Sequence, residues 1–335
     1  MKIVVDKDIP FINERIDDSQ ELVYLPGASI TREDVKDADA IIVRTRTICD
    51  EKLLKNSKVK LVATATIGTD HIDKKWCDEN NIIVESAPGC NAPGVAQYVF
   101  SSIFNSDFDV KTDILGIVGY GNVGRIVGEW AALMGIKTLV CDPFRKEAGW
   151  KDADYKNLET VLEHSDAVTL HVPLSKDGKY PTFKMIGKKE LEKMKKNSLI
   201  INTSRGGVVD ESVIKDYLKA KKINAVTDVW ENEPYIDREL LNLSEISTPH
   251  IAGYSLEGKK RGTLMVLKAL EKHLGIAVKK QDLECETGHK TSITKDIILQ
   301  SYNPLTDSQI LKNNPMDFER LRNNYNYRHE PLFSI

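Results

Sequence analysis

Three residues whose side chains suit proton and carboxylate chemistry follow predicted strands in the second half of the chain: Arg205, Glu233 and His250. Histidine can accept and return a proton near neutral pH. A glutamate beside it would stabilise the imidazolium form. Arginine offers a planar fork of donors that fits the carboxylate of a 2-hydroxy acid and can polarise a 2-oxo group. This set would suit hydride transfer from a secondary alcohol, which needs a base for the hydroxyl proton.

Each of the three also has an ordinary structural explanation. Glu233 precedes Pro234 and could be a solvated turn residue, and His250 follows Pro249 and could be structural. Arg205 could lie in a surface turn. Spacing alone does not show that three distant residues meet, so the elements that would position them have to be considered.

Residues 114–142 are typical of a strand, a glycine turn, a helix and a second strand that ends at an acidic residue. Gly119, Gly121 and Gly124 form G-x-G-x-x-G. The first glycine permits a tight turn, the second lets the backbone approach a pyrophosphate, and the third lets helix and strand pack closely. The helix N-terminus then offers N–H groups to an anion. Asp142 lies 18 residues after Gly124 (142 − 124), close to the offset of about 20 residues for a carboxylate that binds ribose hydroxyls. The pattern predicts a dinucleotide site.

The acidic residue also indicates which dinucleotide binds. Asp142 would repel a 2′-phosphate, which favours NAD over NADP. Arg145 keeps NADP open as an alternative, because a nearby arginine can receive that phosphate.

Bulk properties exclude several classes of protein. A formal charge of −3 over 335 residues predicts no general affinity for nucleic acid or an anionic membrane. No apolar run approaches the roughly 18 residues needed to span a bilayer, and the N-terminus resembles a buried strand more than a signal peptide. An odd number of cysteines without C-x-x-C spacing suits a reducing cytosol and argues against a disulfide framework or a metal site; they are Cys49, Cys77, Cys90, Cys141 and Cys285.

Predicted strands and helices alternate along most of the chain, which indicates parallel sheets with helices on both faces. We expect an α/β fold with two doubly wound lobes, a flavodoxin-like substrate lobe and a Rossmann NAD lobe. The substrate lobe would comprise residues 1–90 and 256–280, and the NAD lobe residues 91–255. Residues 281–335 are polar with weak periodicity, which predicts an appendage, a dimer arm or a partly disordered tail.

Cys90 lies in a turn before a mostly apolar helix at 88–104, which we expect to cross between the lobes. A nucleophilic role is an alternative, but no histidine lies in the local stretch to activate the thiol. A small buried packing residue is favoured.

Four motifs together resemble the D-2-hydroxyacid dehydrogenase superfamily. They are the glycine fingerprint with its aspartate, INTSRGGVVD (201–210), DVWENEP (228–234) and TPHIAGYS (248–255). More specific stretches point to a branch that acts on a phosphorylated 2-hydroxy acid: VRTRT (43–47), ATATIGTDHID (63–73), APGCNAPGVAQYVFS (87–101), PLSKDGKYPT (173–182), HIAGYSLEGKKRGT (250–263) and FERLRNNYNYRHE (318–330). The resemblance covers nearly the whole chain.

The resemblance implies a role for each matching position. His250 would be the acid/base, Glu233 its partner and Arg205 the residue that orients the substrate. The residues expected to bind NAD are Gly119, Tyr120, Gly121, Asn122, Val123, Gly124, Asp142, Val172, Thr203, Ser204, Arg205, Asp228 and Gly253. Asp228 would meet the nicotinamide amide, and Gly253 would approach it by backbone. The expected substrate contacts are Thr45, Thr66 and Tyr254, and Arg44 is the preferred cation for the substrate phosphate because it ends a strand.

The resemblance also implies a homodimer, although family members usually continue into a fuller C-terminal dimerisation domain than this chain has. Two rivals stay open. One is another D-2-hydroxyacid dehydrogenase, such as a 3-phosphoglycerate type. The other is a non-catalytic NAD-sensing protein on the same fold, such as a transcriptional corepressor, which could keep all three chemical residues.

Overall fold

The computed structural model describes residues 1–283 and 293–331. The chain forms two compact units. The first comprises Met1–Asn91 and Leu256–Thr287, and the second comprises Ala92–Ser255 and Gly288–Ile335. Cys285 and two parts of the predicted C-terminal region 281–335, residues 284–292 and 332–335, lie outside the described residues. Within the described ranges, no helix has the length and apolar character needed to cross a membrane.

The strands are β1 (Lys2–Asp6), β2 (Glu21–Leu25), β3 (Ala40–Val43), β4 (Leu61–Thr64), β5 (Ile83–Glu85), β6 (Ile114–Val118), β7 (Lys137–Cys141), β8 (Ala167–Leu170), β9 (Ser198–Asn202), β10 (Ile223–Thr227) and β11 (Ile246–Ser247). The α-helices are α1 (Arg32–Val35), α2 (Glu51–Leu54), α3 (Lys74–Glu79), α4 (Ala92–Phe104), α5 (Asn122–Leu133), α6 (Pro143–Glu147), α7 (Leu158–His164), α8 (Lys188–Leu191), α9 (Glu211–Lys219), α10 (Arg238–Leu243), α11 (Leu256–Leu274), α12 (Lys295–Ser301), α13 (Pro304–Asn313) and α14 (Phe318–Asn323). Short 3-10 turns lie at Gly27–Ser29 and Pro315–Asp317.

The first unit is built on a parallel sheet of order β2-β1-β3-β4-β5. Successive strand residues point to opposite faces, so both faces carry apolar side chains. Ile3 and Val5 of β1 pack in one core together with Leu267 and Leu270 of α11. Val4 packs in a second core with residues from α1 and α2. The double burial explains why these strands read as continuous apolar runs.

The second unit is built on a parallel sheet of order β11-β10-β9-β8-β6-β7. The chain leaves β6 for β7 on one side and later returns to β8 on the other side, which makes β6 a topological switch point. In open α/β sheets, ligands bind beyond the carboxyl ends of the strands at such a point. The two doubly wound parallel-sheet lobes predicted from the sequence are confirmed.

Helix α4 is mostly apolar, is buried on all sides and belongs to the core of the second unit. Every residue of α4 except Pro93 is buried, as expected for a helix enclosed on all sides. The turn before it holds Cys90, which is buried. Burial also raises the pKa of Cys49 to about 12 and that of Cys141 to about 11, so these thiols stay protonated.

The C-terminal region differs from the predicted appendage. Of its described residues, 281–283 group with the first unit and 293–331 with the second. Phe318 at the start of α14 is only 1% exposed and lies in a core with Leu240 and Leu241 of α10. Arg328 is also buried. A polar composition hid this packing, because the polar groups of the segment are satisfied by partners far away in sequence.

Candidate active site

The glycine turn after β6 has the geometry that its spacing predicted. Gly119 has φ +89°, a conformation that favours glycine. A Cβ atom on Gly124 would lie 2.0 Å from the carbonyl oxygen of Gly119, so only glycine fits there. A Cβ on Gly121 would meet no described atom within 4 Å. The backbone at Gly121 therefore borders open space, as a backbone must where a ligand approaches closely.

Helix α5 begins directly after this turn. Its N-cap residue is Gly121, which makes no side-chain capping bond, so the first N–H groups, starting at Asn122 and Val123, are available in principle to an anion. This arrangement suits a pyrophosphate group.

The carboxylate of Asp142 lies at the end of β7, beside the glycine turn. Its Oδ2 accepts a hydrogen bond from the N–H of Tyr120 at 2.9 Å, and its Oδ1 accepts one from the N–H of Arg145 at 3.1 Å. The Arg145 guanidinium is directed elsewhere. It binds Asp152 at 2.9 Å and stacks over the Trp150 ring at 4.2 Å. This pairing weighs against the use of Arg145 for a 2′-phosphate.

Two further predicted cofactor residues lie at neighbouring strand ends. Val172 lies just after β8, and its Cγ1 would be 2.9 Å from a Cβ atom added to Gly119. Thr203, just after β9, has a buried Oγ1 with no hydrogen-bond partner among the described residues, whereas the hydroxyl of Ser204 donates to Asn202 at 2.8 Å. An unpartnered buried hydroxyl is costly. A ligand at this edge of the sheet would remove that cost, so the residues present fit a dinucleotide.

The pair expected to carry acid/base chemistry is formed. Nδ1 of His250 lies 2.8 Å from Oε2 and 3.0 Å from Oε1 of Glu233. Both side chains are mostly buried, with 29% of the histidine and 18% of the glutamate exposed. Burial by itself raises the pKa of Glu233, but the charge and hydrogen bond of His250, with help from Arg322, hold it below its usual value. Glu233 is therefore an ionised partner that orients the imidazole.

The turn that carries His250 is unusual and firmly braced. His250 has φ +57°, a left-handed conformation that costs a non-glycine residue about 1 kcal/mol or more. Its N–H donates to the carbonyl oxygen of Asp228 at 2.9 Å. The Asp228 carboxylate accepts hydrogen bonds from Thr248 Oγ1 at 2.6 Å, from Ile251 N at 2.8 Å and from Ala252 N at 3.0 Å. Asp228 therefore holds both sides of the turn.

Arg205 lies in the turn after β9. The next residue, Gly206, packs so tightly that a Cβ there would lie 1.9 Å from the carbonyl oxygen of Trp230. This contact brings the Arg205 turn beside the loop that leads to Glu233. The Nη1 of Arg205 donates to the carbonyl oxygen of Ser204 at 2.7 Å.

The sequence analysis missed one side chain at this site. Arg322 of α14 donates from Nη1 to Oε2 of Glu233 at 3.3 Å and from Nε to the hydroxyl of Tyr254 at 3.3 Å. Arg322 lies in the stretch FERLRNNYNYRHE (318–330), which contributes to the family resemblance; the resemblance assigns no role to that arginine. Tyr254 also contacts the rings of Tyr325 and Tyr327 from the same stretch.

The remaining substrate candidates belong to the first unit. Thr45 is exposed, and Thr66 is half-buried with its Oγ1 donating to the carbonyl oxygen of Gly68 at 3.0 Å. Arg44 is engaged within the protein. Its Nε binds Oδ2 of the fully buried Asp6 at 2.9 Å, and its Nη2 binds Asp8 at 3.1 Å. This pairing gives Arg44 a structural role and weighs against a free phosphate-binding role.

Comparison with known proteins defines the class. Residues 100–252 match the family described as D-isomer specific 2-hydroxyacid dehydrogenase, NAD binding domain. The fold resembles that of D-lactate dehydrogenase from Aquifex aeolicus, solved with NAD and lactic acid (TM-score 0.69, 25% identity, 82% of this chain and 96% of that one). It also resembles NAD⁺-bound 3-phosphoglycerate dehydrogenase from Entamoeba histolytica (TM-score 0.67, 25% identity, 88% and 99%).

Curated relatives are similar over more of the sequence. A Bacteroides fragilis protein is 42% identical over 98% of this chain and 97% of its own length, and an Escherichia coli O139:H28 protein is 42% identical over 82% and 74%. Both are named erythronate-4-phosphate dehydrogenase. The chain belongs to the D-isomer-specific 2-hydroxyacid dehydrogenase family. It is an NAD-dependent dehydrogenase, and NAD is its cofactor.

Proposed function

We propose that this dehydrogenase oxidises 4-phospho-D-erythronate at C2 to (R)-3-hydroxy-2-oxo-4-phosphooxybutanoate, as a step in pyridoxal 5′-phosphate biosynthesis. The name of the relatives that match most of its length supports this substrate. The single structural observation that carries the chemistry is the 2.8 Å pairing of His250 with Glu233. An alcohol dehydrogenation needs a base of this kind.

The chain's own groups divide the work as follows. Glu233 occupies Nδ1 of His250, so the opposite edge of the imidazole, Nε2, is the one directed to the substrate hydroxyl and takes up its proton. The ionised glutamate stabilises the imidazolium that forms. Arg205 orients the substrate carboxylate with its planar donors and polarises the 2-oxo group of the product.

The cofactor supplies the hydride acceptor. The residues proposed to hold it are the glycine turn and first α5 residues 119–124, with Asp142, Val172, Thr203, Ser204, Arg205 and Gly253. For Asp228 we favour a role in holding the His250 turn, because its carboxylate accepts hydrogen bonds from that turn. Thr45, Thr66 and Tyr254 are the proposed substrate contacts. Arg44, the cation preferred from the sequence for the phosphate, is already paired with Asp6 and Asp8, and its role is left to the test of Arg44→Ala. The homodimer and cytoplasmic location predicted from the sequence also belong to this proposal. Size-exclusion chromatography with light scattering measures the dimer.

A substrate panel tests the assignment. The purified protein with NAD is offered 4-phosphoerythronate, unphosphorylated erythronate, 3-phosphoglycerate and D-lactate, and the absorbance of the reduced cofactor is followed. We expect the phosphorylated four-carbon acid to give the highest kcat/KM. A higher value for 3-phosphoglycerate would assign the other phosphorylated substrate, and absence of turnover with every acid would favour an NAD-sensing role.

The acid/base pair is tested in the same assay. His250→Asn should lower kcat by about 10²–10⁴-fold, the usual contribution of a positioned acid/base. Its matched control is His164→Asn, because His164 is exposed on α7 and should be silent. Retention of full activity in His250→Asn would contradict the proposed role.

A further inference from the structure

The side chains of Arg322 and His250 bind the same oxygen of Glu233. Nη1 of Arg322 lies 3.3 Å from Oε2, and Nδ1 of His250 lies 2.8 Å from the same atom. Only 14% of the Arg322 side chain is exposed. A permanent cation is therefore held beside the acid/base pair and screened from water, where charge interactions are stronger than at the surface.

The segment that carries Arg322 is anchored on both sides. Before it, Phe318 lies in the core of the second unit. After it, Arg328 donates to the carbonyl oxygens of Gly94 and Ile251, each at 3.0 Å, and also to that of Ala252. Arg328 additionally stacks over the Tyr302 ring at 4.2 Å. Arg322 is therefore fixed in position, because the backbone on both sides of it is.

We propose that Arg322 is a positioning residue for the acid/base pair, which holds Glu233 and Tyr254 in place and sets the pH at which His250 works. The proposal rests on the roles of His250 and Glu233 proposed above. Arg322 restrains Glu233 through Nη1 and Tyr254 through Nε, so a single guanidinium links the partner of the base to a proposed substrate contact.

The direction of the pH effect follows from the charges that face His250. These are Glu233 at Nδ1, the carboxylate of Asp228, which braces the turn, and the guanidinium of Arg322, which binds the same Glu233 oxygen. Arg322 repels a second positive charge and also competes for the Glu233 carboxylate. Both effects disfavour the imidazolium form. Loss of the guanidinium charge should therefore let His250 stay protonated to higher pH.

The experiment compares pH profiles of kcat/KM for oxidation of 4-phosphoerythronate. In the direction of oxidation the base must be neutral, so the fall of kcat/KM at low pH (the acid limb of the profile) reports the protonation of His250. We expect Arg322→Gln to move the acid limb upward by about one pH unit, a typical effect for a nearby charge. In Arg322→Lys the acid limb should lie close to that of the wild type, because lysine keeps the positive charge. Arg322→Met, which refills the space with an apolar chain, is the second neutral variant.

Arg320→Gln is the matched control. Arg320 lies on the same helix, but it is 62% exposed and binds Asp317, so its profile should overlie that of the wild type. Circular dichroism and NAD affinity report whether each variant is folded.

An acid limb that stays at the wild-type pH in Arg322→Gln and Arg322→Met would overturn the proposal, whatever the loss of kcat. A limb that moves equally in Arg322→Lys would also overturn it, since the charge is retained. Failure of the proposed function is distinguishable, because His250→Asn would then keep its activity.

Discussion

The buried carboxylate of Asp228 could contact the cofactor or hold the turn of His250, and one substitution separates these two roles. The family resemblance implies that Asp228 meets the nicotinamide amide. In the structure the side chain is only 1% exposed and accepts three hydrogen bonds from the turn that carries His250. Burial raises the pKa of this carboxyl group, so an ionised carboxylate here costs free energy. We expect that its hydrogen bonds offset this cost by fixing the geometry of the turn, and Asp228→Asn tests this.

The magnitude follows from the donors that surround the carboxylate. Asparagine has one acceptor oxygen where aspartate has two, so its amide N must face either the N–H of Ala252 or the donors on Oδ1, Thr248 Oγ1 and Ile251 N. The less costly orientation leaves the Ala252 N–H without a partner, at about 1–3 kcal/mol, and turns two charge-assisted bonds into neutral ones, at about 1 kcal/mol each. Relief from burying a charge offsets part of this, which leaves a net loss of about 2–3 kcal/mol. For a unit of about 200 residues, that is a fall in Tm of roughly 4–12 °C.

The assay measures Tm by circular dichroism, together with kcat and KM for NAD. A looser His250 turn should lower kcat by about 10-fold or more, because misplacement of an acid/base by a fraction of an ångström is costly. KM for NAD should change little. Asp154→Asn is the control, since Asp154 is 80% exposed and pairs with the surface residue Lys156. An unchanged Tm with a selective rise in KM for NAD would refute this reasoning and support a cofactor contact.

Two further changes test charges elsewhere. Burial, with repulsion from Glu231, raises the pKa of Glu211 from 4.5 to about 7. The folded state therefore favours the protonated form, and its contribution to stability is present below pH 4.5 and lost as the pH rises through about 7. Glu211→Gln should raise the free energy of unfolding by about 1–2 kcal/mol at pH 8, after allowance for partial exposure, and not at pH 4.5; equal shifts in Tm at both pH values would contradict this. Arg44→Ala should lower stability by about 3 kcal/mol because it leaves the buried Asp6 unpaired. If Arg44 also binds the phosphate, kcat/KM must fall more for phosphorylated than for unphosphorylated erythronate, and an equal loss would exclude that role.

The geometry of the glycine turn and the position of Asp142 could be predicted because local constraints dictate them. The positive φ of Gly119 and the contact of Gly124 with its carbonyl oxygen exclude other residues from those positions. Asp142 follows at the end of the next strand, whose place in the sheet is fixed by pairing with β6. Sequence spacing and spatial position are nearly the same information over so short a stretch.

The acid/base half needed more than local pattern. Glu233 and His250 meet at 2.8 Å although 17 residues separate them, and their spacing alone was equally compatible with two turn residues. The family resemblance supplied the pairing. The resemblance did not predict the ion pair of Arg44 with Asp6. Asp6 lies 38 residues earlier, and neither stretch contains a pattern that indicates the contact.

The C-terminal segment shows why the rest was missed. Arg322 lies 89 residues from Glu233, and Arg328 lies 234 residues from Gly94. Amphipathic periodicity reveals apolar burial, but these residues are buried through hydrogen bonds to carbonyl and carboxylate oxygens, which leave no periodic trace in sequence. A buried polar segment and a solvated tail therefore have similar composition, and only the three-dimensional structure separates them.

The strained turn at His250 explains why so much of the chain converges on it. A left-handed conformation at a non-glycine residue persists only when its surroundings over-determine it. Asp228 holds the turn through three donors, Arg328 binds the carbonyl oxygens of Ile251 and Ala252, and Arg322 fixes the glutamate that faces the imidazole. Two of these three restraints come from the segment predicted to be an appendage. Since these restraints come from outside the turn, the C-terminal segment is as much a part of the proposed acid/base site as the turn that carries His250.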